Sequence, residues 1–147
     1  MKKIRVLFLC TANSARSQMA EAILRHLAGD HFEPYSAGLE IKGGVNPYTI
    51  KVLKEIGIDT TPLYAKPLTD FMGKVHFGYL ITVCSQADKK CPSTFPGMGQ
   101  RLHWGFEDPA AFDGSDEQKL EKFRQIRDEI TAKIKTWLSE LKIPVQS

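Results

Sequence analysis

The octapeptide CTANSARS, residues 10–17, places a cysteine and an arginine at a spacing that suits thiol chemistry on an anion. Cys10 ends the apolar run IRVLFLC, and Arg16 stands six residues later, where a helical pattern begins. Unpaired N–H groups at a helix N-terminus attract an anion, and an arginine binds two oxygens of a tetrahedral oxyanion at once. The same positive field lowers the pKa of a thiol, so we expect Cys10 to act as a thiolate nucleophile.

Two other residues of the octapeptide suit this role. Ser17 is placed to donate its hydroxyl to the thiolate, and Asn13 tolerates the left-handed backbone that a tight loop requires. The alternative interpretation is a cysteine buried at a strand end beside a surface arginine. The flanking strand and helix favour the functional interpretation, because they are the structural context that such a motif requires.

Two further cysteines, Cys84 and Cys91, bring the total to three. An odd number without an export signal argues against a disulfide framework and for either thiol chemistry or inert buried thiols. In a helix their seven-residue separation is about 10 Å of rise, beyond the ~7 Å between Cα atoms that a disulfide spans. A bond between them would therefore require local unwinding. Zinc ligation with His103 is a further alternative, which this spacing disfavours because structural zinc ligands usually stand two to four residues apart.

Strand-like and helix-like segments alternate along the chain. The run IRVLFLC predicts a strand buried on both faces of a parallel sheet, and further strands are expected in FEPYSAG, YLITVC and QRLHW. The second helix has Asn46 as N-cap, Pro47 at its first position and Gly57 as its stop. Helices are expected over residues 17–27, 47–56, a short segment from about 69, and 116–141. The apolar stripe expected on the last helix is Phe123, Ile126, Ile130, Ile134, Trp137 and Leu138.

This alternation predicts a single domain over residues 1–147 with an α/β fold, in which helices flank a four-stranded, mainly parallel, doubly wound sheet. Functional loops of such a fold gather at the carboxyl ends of the strands, where Cys10 and Cys84 both lie. The net charge of +3 is spread along the chain, so no nucleic-acid partner is expected. Without a membrane span or signal peptide, we expect a cytoplasmic protein, and a monomer.

The segment CTANSARSQMAE resembles the phosphate-binding loop of the low-molecular-weight protein tyrosine phosphatase superfamily, in the form found in its thioredoxin-coupled arsenate reductases. The similarity continues through SAGLE, VNPYTIKVLKEIGID, VCSQADKKCP, HWGFEDPA and FRQIRDEI. It implies the low-molecular-weight phosphotyrosine phosphatase fold, reduction of arsenate to arsenite without a cofactor, and thioredoxin as reductant. It also implies that arsenate, or phosphate or sulfate as its mimic, is bound by Thr11, Ala12, Asn13, Ser14, Ala15, Arg16 and Ser17.

The resemblance also implies the order of the thiol steps. Cys10 attacks arsenic and forms a thiol-arsenate adduct, and Cys84 then attacks the sulfur of Cys10 and releases arsenite. Cys91 next attacks Cys84. The resulting disulfide between Cys84 and Cys91 is implied to lie in a partly unwound segment, where thioredoxin reduces it.

The segment FEDPAAF supplies a carboxylic acid. The resemblance assigns protonation of the leaving oxygen to Asp108, before Pro109, and we expect Glu107 to face solvent. Tyrosine phosphatases of this fold have a sequence similar to DPY at this point, and aromatic side chains form the walls that hold a phosphotyrosine ring. This chain has Ala110 and Ala111 instead, which favours a small oxyanion.

Some relatives bind a potassium ion beside the loop through an asparagine, a glutamate, a serine and a further carboxylate. Asn13, Glu21 and Ser36 match the first three, whereas the fourth position falls at Lys66. A basic residue there argues against potassium, and the ammonium of Lys66 is able to supply the charge itself.

Two other functions stay open at this point. One is a low-molecular-weight protein tyrosine phosphatase that hydrolyses phosphate monoesters through a Cys10 phosphocysteine. The other is a catalytically silent oxyanion sensor or redox-responsive binding module. Replacing Cys91 with serine separates the reductase from the phosphatase, because only arsenate turnover depends on that thiol. The sensor predicts tight oxyanion binding without turnover.

Overall fold

Four parallel strands form the centre of the protein. The structure is a computed structural model that describes residues 2–84 and 98–145. The strands stand in the order β2-β1-β3-β4 and are β1 (Ile4–Cys10), β2 (Phe32–Gly38), β3 (Phe77–Thr82) and β4 (Met98–His103). The register pairs Cys10 with Gly38 and Leu9 with Thr82. The chain segments that follow the strands therefore meet at one edge of the sheet, and the predicted four-stranded parallel α/β fold is confirmed.

Three α-helices accompany the strands in the described part of the chain: α1 (Arg16–Ala28), α2 (Pro47–Glu55) and α3 (Asp116–Glu140). The bounds of α2 follow from its sequence. The side chain of Asn46 accepts a hydrogen bond from the N–H of Tyr48, and Pro47 takes the first helical position. Beyond the helix, Gly57 adopts a φ of 77°, the left-handed conformation that glycine allows at a helix end.

The long helix α3 buries its predicted stripe. The expected apolar residues are all buried: Phe123, Ile126, Ile130, Ile134, Trp137 and Leu138. Trp137 contacts the rings of Phe32, Tyr79 and Trp104, with centroid distances of 5.2, 5.1 and 5.4 Å. Because these three rings come from β2, β3 and the end of β4, α3 ties the strands together on one face of the sheet.

Some element bounds differ from the expected ones. The short helix expected from residue 69 is a single 3-10 turn over Leu68–Asp70, and β4 begins at Met98. The strand expected to reach Cys84 ends at Thr82. Val83 adds one further hydrogen bond beyond the strand, from its N–H to the carbonyl of Leu9 at 2.9 Å, and Cys84 follows it. Within residues 2–84 and 98–145, no helix is both long and apolar enough to cross a membrane.

Candidate active site

A cleft of about 470 Å³ opens at the carboxyl edge of the sheet. Its base is the loop between β1 and α1, in which Asn13 has a φ of 54°, the expected left-handed conformation. The cleft is lined by Cys10, Thr11, Ala12, Ser14, Ala15, Arg16, Lys42, Cys84, Phe106 and Asp108. The structure thus brings together residues from the segments that follow all four strands.

Asn13 and Ser17 lie beneath this loop and do not line the cleft. Asn13 is fully buried, and its Oδ1 accepts hydrogen bonds from the N–H of Lys66 at 2.8 Å and from Nε2 of Gln18 at 3.0 Å. Its Nδ2 donates to Oγ of Ser17 at 2.8 Å. Among the described contacts, Ser17 has no hydrogen bond with Cys10. The side chains of both residues therefore fix the shape of the oxyanion loop from below, which differs from the hydrogen bond to the thiolate expected for Ser17.

Neighbouring segments hold the carbonyl groups of the loop. The N–H groups of Leu39 and Glu40 donate to the carbonyls of Cys10 and Thr11 at 3.2 and 2.8 Å. On the other side, the N–H of Asn46 donates to Ser14 at 2.9 Å. Within the described part of the chain, the N–H groups of residues 12–16 have no backbone acceptor. They form the cradle of donors that a tetrahedral oxyanion requires.

The thiol of Cys10 is buried at the bottom of this cradle, and its pKa is raised. The leading cause is a hydrogen bond with the thiol of Cys84, followed by burial; the guanidinium of Arg16 and the N–H of Asn13 act in the opposite direction. The expectation of a lowered pKa is therefore wrong. The positive field is present as expected, but the paired thiol and the loss of water outweigh it.

Cys84 lies beside Cys10, two residues beyond β3. It is buried, and its sulfur is 3.5 Å from the hydroxyl of Thr11. The second thiol of the implied relay lines the same cleft as the first and lies near it. Cys91 lies outside the described residues, so the last thiol step and the zinc alternative are not tested by this arrangement. His103 is exposed, and its Nδ1 lies 2.8 Å from Oγ1 of Thr82.

Arg16 lies at the first turn of α1 with its guanidinium held at the wall of the cleft. Nη1 donates to the carbonyl of Phe106 at 3.0 Å, and Nη2 lies 3.6 Å from Oδ2 of Asp108. Its Nε is buried and has no hydrogen-bond partner among residues 2–84 and 98–145. A buried donor without a partner is costly, and an oxygen of a bound oxyanion would satisfy it.

Asp108 overhangs the cleft on the segment after β4. Its Oδ1 accepts a hydrogen bond from the N–H of Ala110 at 3.0 Å, which caps the 3-10 turn Pro109–Ala111. Its side chain is 42% exposed. Glu107 is 59% exposed, as expected, and it pairs with Lys122 of α3 at 2.6 Å. The segment thus places one carboxyl group toward the cleft and the other against α3.

The predicted cation position beside the loop contains an ammonium group. Nζ of Lys66 lies 3.6 Å from Oε1 of Glu21, and Ser36 donates to the same oxygen at 2.7 Å. Both charged side chains are about 95% buried. Burial lowers the pKa of Lys66, while the charge of Glu21 acts in the opposite direction. The ammonium of Lys66 thus supplies the positive charge that faces Glu21.

Three residues around the site were not singled out from the sequence: Lys42, Gln18 and Lys122. Lys42 follows β2, and the rule that loops after parallel strands share one edge would have indicated it. Gln18 gives no such signal, because its role depends on the carbonyl of Tyr64, which accepts from its Nε2 at 2.9 Å. Lys122 is one of several lysines on an amphipathic helix.

Comparison with known proteins gives a consistent result. The profile of the family described as low molecular weight phosphotyrosine protein phosphatase matches residues 5–147. The chain is 44% identical over 138 residues to an arsenate reductase of Halalkalibacterium halodurans, covering 93% of this chain and 96% of that protein. A solved arsenate reductase in the phosphate-binding state superposes with a TM-score of 0.73 at 28% identity, over 93% of this chain and 98% of the other. A thioredoxin-dependent arsenate reductase of Corynebacterium glutamicum superposes with a TM-score of 0.61 at 29% identity, over 91% of this chain and 63% of the other. The chain is therefore a member of the low-molecular-weight phosphotyrosine protein phosphatase family, with similarity to arsenate reductases over most of its length.

Proposed function

We propose that this protein reduces arsenate to arsenite through the thiols of Cys10, Cys84 and Cys91, and that thioredoxin regenerates it. The observation that carries the proposal is that the thiols of Cys10 and Cys84 are both buried, lie near each other and line one oxyanion cleft. A phosphatase needs one nucleophilic thiol, whereas a reductase needs a second thiol within reach of the first. The relatives named arsenate reductases support the same reaction.

In the first step, arsenate occupies the cradle of N–H groups, and Nε of Arg16 donates to one of its oxygens. Binding gives the thiol proton of Cys10 an acceptor, because an arsenate oxygen lies next to the sulfur. The sulfur then attacks arsenic, and Asp108 protonates the departing oxygen, which leaves as water. The product is a thiol-arsenate adduct whose negative oxygens are held by the same donors.

In the second step, the sulfur of Cys84 attacks the sulfur of Cys10. The electron pair of the sulfur–arsenic bond stays on arsenic, which is reduced from As(V) to As(III) and leaves as arsenite. Two thiols are oxidised to one disulfide, so the electrons balance. The hydroxyl of Thr11, 3.5 Å from the sulfur of Cys84, is placed to hold that thiol during the attack.

In the third step, Cys91 attacks Cys84 and frees Cys10, and thioredoxin reduces the disulfide between Cys84 and Cys91 by exchange. The thioredoxin-dependent relative from Corynebacterium glutamicum supports this choice of reductant.

The test is a set of single cysteine variants assayed with arsenate, thioredoxin, thioredoxin reductase and NADPH. Cys10→Ser should abolish arsenite formation. Cys91→Ser should form one arsenite per protein and then stop, leaving a disulfide between Cys10 and Cys84 in peptide maps. Sustained turnover by both Cys84→Ser and Cys91→Ser would rule out the relay.

A second candidate function is hydrolysis of phosphate monoesters through a phosphocysteine on Cys10. The specific observation in its favour is that the cradle, Arg16 and Asp108 require only a tetrahedral oxyanion, and phosphate has the same shape as arsenate. We expect a low phosphatase rate that Cys91→Ser leaves unchanged. A phosphatase rate far above the arsenate rate would make hydrolysis the main activity.

For the cation position, we propose that Lys66 replaces a potassium ion. Arsenate turnover should be equal in KCl and NaCl at the same ionic strength. Lys66→Asp, which places a carboxylate beside Glu21, should make the melting temperature depend on potassium. Potassium activation of the unmodified protein would contradict this assignment.

A further inference from the structure

The segment that carries Asp108 is held by two cations from two different helices. From α1, Arg16 donates to the carbonyl of Phe106 at 3.0 Å. From α3, Nζ of Lys122 lies 2.6 Å from Oε2 of Glu107. The two residues that precede Asp108 are therefore each attached to a different helix.

Lys122 differs from an ordinary surface lysine in its surroundings. Its side chain is only 15% exposed, and its ammonium lies 5.7 Å from the ring centroid of Phe112. The ammonium thus lies between Glu107 on one side of the 3-10 turn and Phe112 on the other. It spans the segment that contains Asp108.

Arg16 and Lys122 make different contacts when substrate is bound. Arg16 lines the cleft and lies 3.6 Å from Asp108, so a bound oxyanion draws on the same guanidinium. Lys122 does not line the cleft. Its attachment to Glu107 therefore persists while Arg16 is occupied by the oxyanion.

We propose that Lys122, through its ion pair with Glu107, is a positioning residue that keeps the carboxyl group of Asp108 over the leaving oxygen. Such a partly exposed ion pair contributes little to global stability. A displacement of about 1 Å of a catalytic group, however, lowers a rate by up to about a hundredfold. The effect of Lys122 should therefore appear in the rate of the proton-assisted step. The inference depends on the proposed function for the role of Asp108.

The experiment is a double-mutant cycle on single-turnover arsenate reduction in the Cys91→Ser background. Formation of the disulfide between Cys10 and Cys84 is monitored as the loss of free thiols. Lys122→Gln and Glu107→Gln should each lower the rate constant about five- to tenfold, with half-saturation by arsenate within twofold. Lys122→Arg and the charge-swapped pair Glu107→Lys with Lys122→Glu should recover most of the rate. Lys119→Gln, one turn earlier on α3, is the matched control and should have no effect.

The decisive variant combines Lys122→Gln with Asp108→Asn. If Lys122 acts through Asp108, the combination should be no slower than Asp108→Asn alone. The same fold-loss in both backgrounds, or a Lys122→Gln rate equal to that of the control, would overturn the proposal.

A measurement without turnover keeps this inference separate from the proposed function. The amides of Ala110, Ala111 and Phe112 are hydrogen-bonded within the turn, so their hydrogen exchange reports how firmly it is held. Exchange there should be faster in Lys122→Gln than in Lys119→Gln, and equal exchange would overturn the proposal. If the unmodified chain fails to reduce arsenate, the proposed function is wrong. The double-mutant cycle is then measured on the hydrolysis of phenyl phosphate, which needs the same acid.

Discussion

The base of the oxyanion loop and the rim of the cleft are built in different ways. At the base, the fully buried side chain of Asn13 makes three hydrogen bonds, with Lys66, Gln18 and Ser17. At the rim, the carboxylate of Asp108 is 42% exposed, bonds its own turn and lies 3.6 Å from Arg16. One region is a closed polar network, and the other is a partly solvated segment with few attachments.

This difference separates binding from chemistry. A buried network is costly to break, so the base holds the donor cradle in one geometry before any oxyanion arrives. The second thiol, Cys84, and the acid, Asp108, lie on the segments after β3 and β4, where small shifts are less costly. A thiol relay needs that freedom, because the sulfur of Cys84 must approach first Cys10 and later Cys91. Changes at the base should therefore affect stability and binding together, and changes at Asp108 should affect the rate of the chemical steps alone.

The largest rate effect is expected at the rim, from Asp108→Asn. An amide cannot protonate the leaving oxygen, so the single-turnover rate of arsenate reduction should fall by about a hundredfold or more. The melting temperature should stay unchanged, because the side chain is partly solvated. Asp113→Asn, an exposed carboxylate of the same segment, is the control for the change of charge. A full rate in Asp108→Asn would assign the acid to another group.

The largest combined effect is expected at the base, from Gly38→Ala. A Cβ there would lie 2.9 Å from the carbonyl oxygen of Thr11 and 3.0 Å from Cβ of Asn13, so the loop must move. We expect a loss of about 1–3 kcal/mol in unfolding free energy. Phosphate protection of Cys10 against iodoacetamide should weaken about tenfold in parallel. Gly43→Ala is the matched control, because nothing lies within 4 Å of its Cβ. Weaker phosphate protection of Cys10 without a loss of unfolding free energy would contradict the expectation that changes at the base affect stability and binding together.

A smaller effect, at the contact between base and rim, is expected from Cys84→Ala. The hydrogen bond with Cys84 is the leading cause of the raised pKa of Cys10, so its removal should lower that pKa. Only the thiolate reacts with iodoacetamide, and the pH profile of Cys10 alkylation should therefore move to lower pH. The comparison is made in the Cys91→Ser background, which is also the control. An unmoved profile would mean that burial alone protects the thiol.

The sequence predicted the fold well because its signals are local. Apolar runs of strand length, the cap at Asn46 and Pro47, and the stripe on α3 each act within a few residues, and each predicted the correct element. The position of Cys10 and Arg16 at a strand–helix junction followed from the same signals. These features required no knowledge of distant contacts.

The parts that the sequence did not predict depend on contacts between distant residues. The raised pKa of Cys10 comes from Cys84, 74 positions later, and from burial, which the motif alone does not contain. The role of Asn13 beneath the loop depends on the backbone of Lys66. In both cases the residue type was correctly singled out, but its partner was fixed by the packing of the sheet.

The smallest effect is expected from Lys42, which lines the mouth of the cleft and has no ion pair with any described residue. Its segment is attached to the loop through Leu39, Glu40 and Asn46, so the ammonium stays near the path of an incoming oxyanion. An exposed charge of this kind accelerates capture and is screened by salt. Lys42→Gln should raise the KM for arsenate about two- to fivefold at low ionic strength, with kcat unchanged.

The salt dependence decides whether Lys42 acts by charge or by contact. If it acts by charge, the difference between Lys42→Gln and the unmodified protein should disappear at an ionic strength of about 1 M, where the Debye length is about 3 Å. Lys51→Gln, an exposed lysine of α2 that does not line the cleft, should show no change in KM. A difference that persists in high salt would mean that Lys42 contacts the bound oxyanion. In that case the preorganised part of the site would extend from the base to the rim, and the contrast between the two regions would be restricted to Cys84 and Asp108.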